Sequence, residues 1–232
     1  IAFQLALIVS GNLSWLNWLT IVLAIPTLHN RWLSWLPASL PPQRDAHFVH
    51  RAAIYVLAAV VGILSVAPML NMLSSNQLMN SSFEPLHLVN TYGAFGSITR
   101  TRDEIVIEGT ADPVITEGTV WREYEFKGKP GDLSRMPPQV APYHLRLDWL
   151  MWFAAMSAPS EHPWFEALLE KLLDADPAVL SLLRVNPFPD RPPRYVRARL
   201  YRYSFTTPEE RARTGQWWRR DAEGLYFPAV GR

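Results

Sequence analysis

The spacing of apolar and polar positions divides the chain sharply. Residues 1–82 carry only Arg31, Arg44, Asp45 and Arg51 as charged side chains, histidines aside, whereas from Phe83 onward charges of both signs are frequent. A water-soluble domain needs a solvated surface, so the first third reads as lipid-embedded. Ala52–Leu73 has no charged residue. As a helix rising about 1.5 Å per residue it spans roughly 33 Å, enough for a bilayer core, with Pro68 marking a kink or an exit. Ile1–Leu28 is also uncharged, and Gly11-Asn12 interrupts it. This pattern predicts the tail of one membrane helix over Ile1–Ser10, a break at Gly11–Ser14 and a second helix from Trp15 to about Leu28. One long helix with a polar stripe is the alternative. Gln4, Asn12 and Asn17 are expected to face other helices or a polar cavity.

Arg31, Arg44 and Arg51 lie in the loop between these segments, and Ser74–Gly93 has no lysine or arginine. The positive-inside rule then makes the loop 30–51 cytoplasmic and everything after Leu73 exoplasmic. Trp32 and Trp35 suit the headgroup level. The chain opens on Ile1 inside an apolar run with no charged n-region, which reads as part of a longer protein and not as a signal peptide.

Beyond the polar linker 74–82 the period changes. His87–Tyr92, Glu104–Glu108 and Val120–Phe126 read as strands, the last with Val120, Arg122, Tyr124 and Phe126 on one face. Gly109–Gly118 reads as an open hairpin loop, and the prolines of Lys127–Pro142 predict an irregular excursion. Leu145–Met156 predicts a helix with Leu145, Trp149, Trp152, Phe153 and Met156 on one stripe. Pro163–Asp174 predicts a second, and Asp176-Pro177 is an N-cap and first-turn pair opening a third over Ala178–Arg184. Tyr195–Phe205 alternates again, with Arg197 and Arg199 opposite Val196, Ala198 and Leu200. Trp217–Arg220 and Leu225–Phe227 suggest a last strand or two. The expected architecture is a membrane segment of two to three helices followed by an α+β soluble domain (83–232), its antiparallel sheet of about four to six strands interrupted by a helical insertion. Ile105, Ile107, Trp149, Phe153, Leu168 and Leu172 are expected in its core.

Composition narrows the chemistry. The net charge of +1 suggests no nucleic-acid partner, and the absence of cysteine removes disulfides, thiol nucleophiles and thiolate metal sites. No nucleophile-elbow, zinc-protease, P-loop or dinucleotide-binding motif occurs, so the reading is a non-enzyme without metal or cofactor. His144 and Asp148, at i and i+4, suggest a surface pair. His47 and His50 could touch a phospholipid headgroup, though an ordinary juxtamembrane loop explains them too. Glu104, Glu108, Glu123 and Glu125 alternate as a solvated sheet face would. Tryptophans cluster at 15–35, 149–164 and 217–218. Core packing is their default role, with a sticky surface for clients as the alternative. The candidate client-binding residues are Tyr92, Gly93, Phe95 and Gly96, where an aromatic precedes each glycine just after the linker.

Several blocks resemble the lipase maturation factors. They are Gly11–Thr20 (GNLSWLNWLT), Leu88–Thr110, Trp121–Asp132 (WREYEFKGKPGD), Ala141–Ala155, Asn186–Tyr203 and Trp217–Arg220. The resemblance implies an integral membrane protein that helps secreted lipases fold and assemble, with its C-terminal domain in the lumen of the endoplasmic reticulum. A bacterial member would sit in the inner membrane. Many relatives carry cysteine where Gly128 stands, and this chain has none anywhere, which weakens any redox role. The expected partners are a secreted lipase or other exported client and the bilayer. The alternative function is an integral membrane enzyme acting on a lipid or lipid-linked substrate.

Overall fold

A computed structural model of the chain describes residues 1–11, 14–28, 30–32, 47–91 and 100–231. Packing groups Ile1–His29 with Thr101–Arg232 and sets Asn30–Arg100 apart as a second unit.

The apolar N-terminal region is helical. Helices α1 (Ala2–Ser10) and α2 (Leu16–Ala24) are separate, as the Gly11-Asn12 break predicts. Gly11 leaves α1 in an extended conformation, and Pro26 tightens the end of α2 into a 3-10 turn, Ile25–Thr27. Their burial pattern is inverted relative to a water-soluble protein. Phe3, Val9 and Leu23 lie open, while the one buried residue on α2 is Asn17, whose Nδ2 donates to Gln4 Oε1 at 2.6 Å. Amides turned inward and aliphatics turned outward are what hydrocarbon selects.

In the other unit, α3 (Phe48–Leu64) continues through Ser65 into α4 (Val66–Met72), one apolar run of 25 residues, long enough to cross a membrane. Pro68 has no N–H for the carbonyl one turn earlier, which explains the interruption at Ser65. The Ser65 hydroxyl donates to Val61 O at 2.7 Å. Beyond the run, Asn71 clamps the returning chain, donating to Leu78 O and accepting from Leu78 N, both at 2.9 Å. Strands β1 (Ser81–Ser82) and β2 (Asn90–Thr91) form a short antiparallel ribbon. The strand expected over His87–Tyr92 is shorter at its start: His87 has φ 53°, and the Glu84 carboxylate collects the N–H groups of Leu86, Leu88 and Val89 into a turn.

The α+β domain is built on four antiparallel strands, ordered β4 (Arg122–Glu123), β3 (Arg102–Thr110), β7 (Tyr195–Phe205) and β8 (Trp218–Gly231) across the sheet. Central β3 (Arg102–Thr110) pairs with the brief β4 (Arg122–Glu123) across the expected open hairpin. The alternation expected to run through Val120–Phe126 breaks at Tyr124, whose N–H still donates to Ile107 O. The next residues form β5 (Glu125–Phe126), which leaves for a second small sheet; Val120 is exposed while Tyr124 and Phe126 are buried. Then come the three expected helices: α5 (Arg146–Ala154), α6 (Pro163–Leu173) and α7 (Pro177–Leu180). Asp176 caps α7 as predicted, accepting from Ala178 N and Val179 N. That helix lasts one turn, because the chain turns into β6 (Leu183–Val185) to pair with β5.

Strand β7 (Tyr195–Phe205) has the predicted limits. Helix α8 (Pro208–Thr214) was not anticipated, although Thr207-Pro208-Glu209-Glu210 spells its capping box; Thr207 and Glu210 cap each other reciprocally and Gly215 closes it at φ 71°. The two suggested final strands are one, β8 (Trp218–Gly231), which stays paired to β7 through register shifts that absorb its extra residues.

The register puts Ile105, Ile107, Val196 and Ala198 on one face of the sheet, where they pack with Phe165, Leu168, Leu169 and Leu172 of α6. The expectation for α5 is corrected. Trp149 remains 36% exposed and Phe153 is half-buried, because α5 turns Leu147, Asp148, Met151, Ala154 and Ala155 inward instead. Two stripes compete on this helix. The one with small residues allows closer approach to the sheet, and it alone brings Asp148 to its partners.

Candidate functional site

The opposite face of the sheet is where charge collects. Pairing sets Glu104 against Tyr201, Val106 against Arg199 and Glu108 against Arg197. The expectation of a solvated row of carboxylates fails here, since Glu104 is 0% and Glu108 4% exposed. Such burial is tolerable only with ionic partners. Glu104 has Arg102 Nε at 2.8 Å and Lys129 Nζ at 3.1 Å, and Glu108 has Arg197 Nη2 at 2.7 Å. The Arg197 guanidinium lies 3.9 Å over the Trp121 ring. Arg220, on β8, grips Glu123 of β4, the other outer strand, with two nitrogens at 2.9 and 2.5 Å and donates to Tyr203 Oη, which donates to Gly131 O. Burial pushes the Tyr203 hydroxyl up to about 12, so it stays a donor at any physiological pH.

Lys129 is the centre of this arrangement. Its ammonium also donates to Ile105 O at 3.0 Å and Pro130 O at 3.1 Å, so the charge that pairs with Glu104 also satisfies two carbonyls. It thereby closes part of the outer edge of β3. Its backbone is held too: Asp148 Oδ1 accepts from Gly128 N at 2.5 Å and Lys129 N at 3.0 Å. Asp148 is therefore a buried brace between α5 and the 127–132 segment, not the partner of His144, whose ring instead meets Trp149 edge-on. Gly128 is tightly enclosed, for a Cβ there would meet Leu145 Cδ1 at 2.8 Å. A cysteine at this position requires the Leu145 side chain to move.

Beside the network lies an open polar cleft of about 300 Å³, lined by Glu123, Glu125, Asp132, Ser134, Gln216 and Arg220. Its carboxylates are engaged: Glu123 by Arg220, Glu125 by Arg184, and Asp132 by the hydroxyl and N–H of Ser134, which hold it below the usual carboxylate range. Ser157 Oγ and His162 Nε2 are 2.7 Å apart across the α5–α6 turn, but among the described residues no carboxylate orients the ring. Nor, among them, does any cluster of histidine and acidic groups suit a metal ion. The carboxylates of the network and of the cleft are held by neighbouring charges and hydroxyls.

Tyr92, Gly93, Phe95 and Gly96 lie outside the described residues. Their preceding neighbour Thr91 is fixed in the β1–β2 ribbon, its hydroxyl donating to Leu78 O at 3.0 Å. The Arg–Glu network was missed by sequence reading, yet its signal was present: Glu104 and Glu108 share one face of β3, Arg197 and Arg199 share one face of β7, and antiparallel pairing makes these the same face of the sheet.

The class these features define is a membrane-embedded helical region joined to an α+β domain stiffened by buried ion pairs. The family model of the lipase maturation factor C-terminal domain matches residues 88–228, and that of the lipase maturation factor transmembrane domain matches residues 1–35. Lipase maturation factor 1 of Homo sapiens is 47% identical over 252 residues, covering 99% of this chain and 44% of its own length. Its Bos taurus counterpart is 46% identical over 255 residues, with 100% and 46% covered. Lipase maturation factor 2 of Homo sapiens is 44% identical over 153 residues, or 63% of this chain and 20% of its own length. The chain belongs to the lipase maturation factor family, and it spans less than half the length of these relatives. No solved structure matches it.

Proposed function

We propose that the chain is the domain-bearing, membrane-embedded part of a folding or assembly factor for exported proteins, secreted lipases first. The observation that carries this reading is the match of both a transmembrane segment and the C-terminal domain to proteins named lipase maturation factors. In this reading the protein acts by contact and not by covalent chemistry, which agrees with a polar cleft whose carboxylates Glu123, Glu125 and Asp132 are engaged by guanidinium or hydroxyl groups. Its residues 1–73 form two to three membrane helices with a cytoplasmic loop 30–51, 74–82 is a linker, and 83–232 is exoplasmic, in the lumen of the endoplasmic reticulum or, in a bacterium, outside the inner membrane. Tyr92, Gly93, Phe95 and Gly96 remain the candidate client contacts.

Two measurements test it. In a host lacking its own factor, the full-length protein should restore active secreted lipase, and Tyr92→Ala or Phe95→Ala should lower the yield without unfolding the domain. Normal lipase activity in the deleted host would remove the lipase client. For topology, cysteines introduced as Ser39→Cys and Glu117→Cys should react with an impermeant reagent from opposite sides of the membrane, Glu117→Cys from the exoplasmic side. Labelling of both from one side overturns the arrangement.

The alternative, a membrane enzyme acting on a lipid or lipid-linked substrate, would need the intramembrane amides to line a cavity. Gln4 and Asn17 spend their side chains on each other, which favours helix–helix adhesion.

A further inference from the structure

The surface of the α+β domain carries charges of both signs, but some stretches carry none, and one of these touches the end of α1. Met136–Tyr143 (MPPQVAPY) carries no ionisable side chain apart from the phenol of Tyr143, and Met136 and Tyr143 are 61% and 75% exposed. The arginine just before it is folded away from that surface: Arg135 donates from Nη1 to Phe126 O at 3.1 Å and from Nη2 to Lys127 O at 2.6 Å. In the middle of the stretch, Gln139 Nε2 donates to two carbonyls at the end of α1, those of Ile8 and of Gly11, the latter at 3.3 Å. Helix α1 lies within the family's transmembrane segment, and its last carbonyls have no partners within the helix and need donors. Gln139 supplies one, and in doing so ties the loop to the end of α1.

We infer that Met136–Tyr143 is an interfacial anchor, a loop whose apolar and aromatic side chains sit among the headgroups and upper acyl chains of the bilayer that α1 enters. The occupant is phospholipid. Methionine and tyrosine suit that depth, the one flexible and apolar, the other apolar with a polar tip that reaches water. Prolines at 137, 138 and 142 remove three N–H groups that lipid would leave without acceptors. The ring contacts of His144 with Trp149, and of Trp149 with Trp152 and Phe153, carry an aromatic surface from this loop onto α5. The anchor does not depend on which client the protein serves. It would hold the domain against the membrane surface, so that the sheet is presented at a fixed height.

Trypsin cuts after Arg135 and after Arg146, releasing the loop as one peptide. The unaltered chain, reconstituted in phosphatidylcholine nanodiscs containing a phosphatidylcholine with a diazirine high in its acyl chain, is irradiated and digested. Lipid adducts on Met136–Arg146 should exceed those on Asp103–Arg122, a peptide of the same domain, several-fold. The Met136→Glu, Tyr143→Glu double variant should lose that excess while the Asp103–Arg122 signal stays unchanged. Equal labelling of the two peptides in the unaltered chain, whether because water or protein covers the loop, overturns the anchor. So does an excess that survives both glutamates. Lipase rescue in the deleted host reads the client proposal separately.

Discussion

Replacing Lys129 by alanine is expected to destabilise the domain by about 3–5 kcal/mol, the cost of leaving a buried charge without its partner. Glu104 is fully buried, and Arg102, its other partner, is half exposed and screened by water. The substitution also strips a donor from Ile105 O and Pro130 O, each a buried acceptor that must then find water or go without. Set against the ordinary stability of a domain, about 5–15 kcal/mol, this is enough to populate the unfolded state at physiological temperature. The measurement is urea unfolding of the full chain in detergent, followed by tryptophan emission. A control separates charge from packing: Lys129→Met combined with Glu104→Leu removes both ions and should recover much of the loss. If Lys129→Ala alone unfolds at the wild-type midpoint, the ammonium is not holding the carboxylate.

The network explains where sequence reading stopped. Elements with a clean period were legible: the α1–α2 break at Gly11, the long apolar run, α6, the Asp176 cap and the full length of β7. Charge placement was not. Alternating glutamates look alike whether they meet water or an arginine on the neighbouring strand, and the decision rests on pairing between distant residues, 89 positions apart for Glu108 and Arg197. Lys129 was equally silent, since nothing local marks a lysine in a proline-glycine loop as the buried counter-ion of a strand. Helix α5 shows a different ambiguity. Its sequence offers a large aromatic stripe and a smaller one with alanine and methionine, and hydrophobicity alone favours the wrong face. The need of Gly128 and Lys129 N–H groups for the Asp148 carboxylate settles it. Helix α8 was legible in principle, for its capping box needs no tertiary information. The single strand β8 was hidden by Gly224 and Pro228, which read as breaks but sit in a strand that bulges.

The choice between the two faces of α5 has an energetic consequence on α6. Phe165 is fully buried and makes tilted or edge-on ring contacts with Trp164 at 5.7 Å, Tyr226 at 5.2 Å and Phe227 at 5.9 Å, tying α6 to β8 across the core. Phe165→Ala is expected to cost about 3–5 kcal/mol in lost burial and cavity formation, with roughly 0.5–1.5 kcal/mol more for aromatic pairs that lose their geometry. For a domain of this size that corresponds to a fall in Tm of roughly 10–20 °C. Trp149→Ala should cost clearly less despite the larger ring, because the tryptophan keeps a third of its surface exposed and touches rings that are themselves near the surface. The comparison is differential scanning calorimetry of both variants in the same detergent. A larger loss from Trp149→Ala than from Phe165→Ala would mean that α5 packs its aromatic stripe against the sheet after all, and that Asp148 is not the brace of the 127–132 segment.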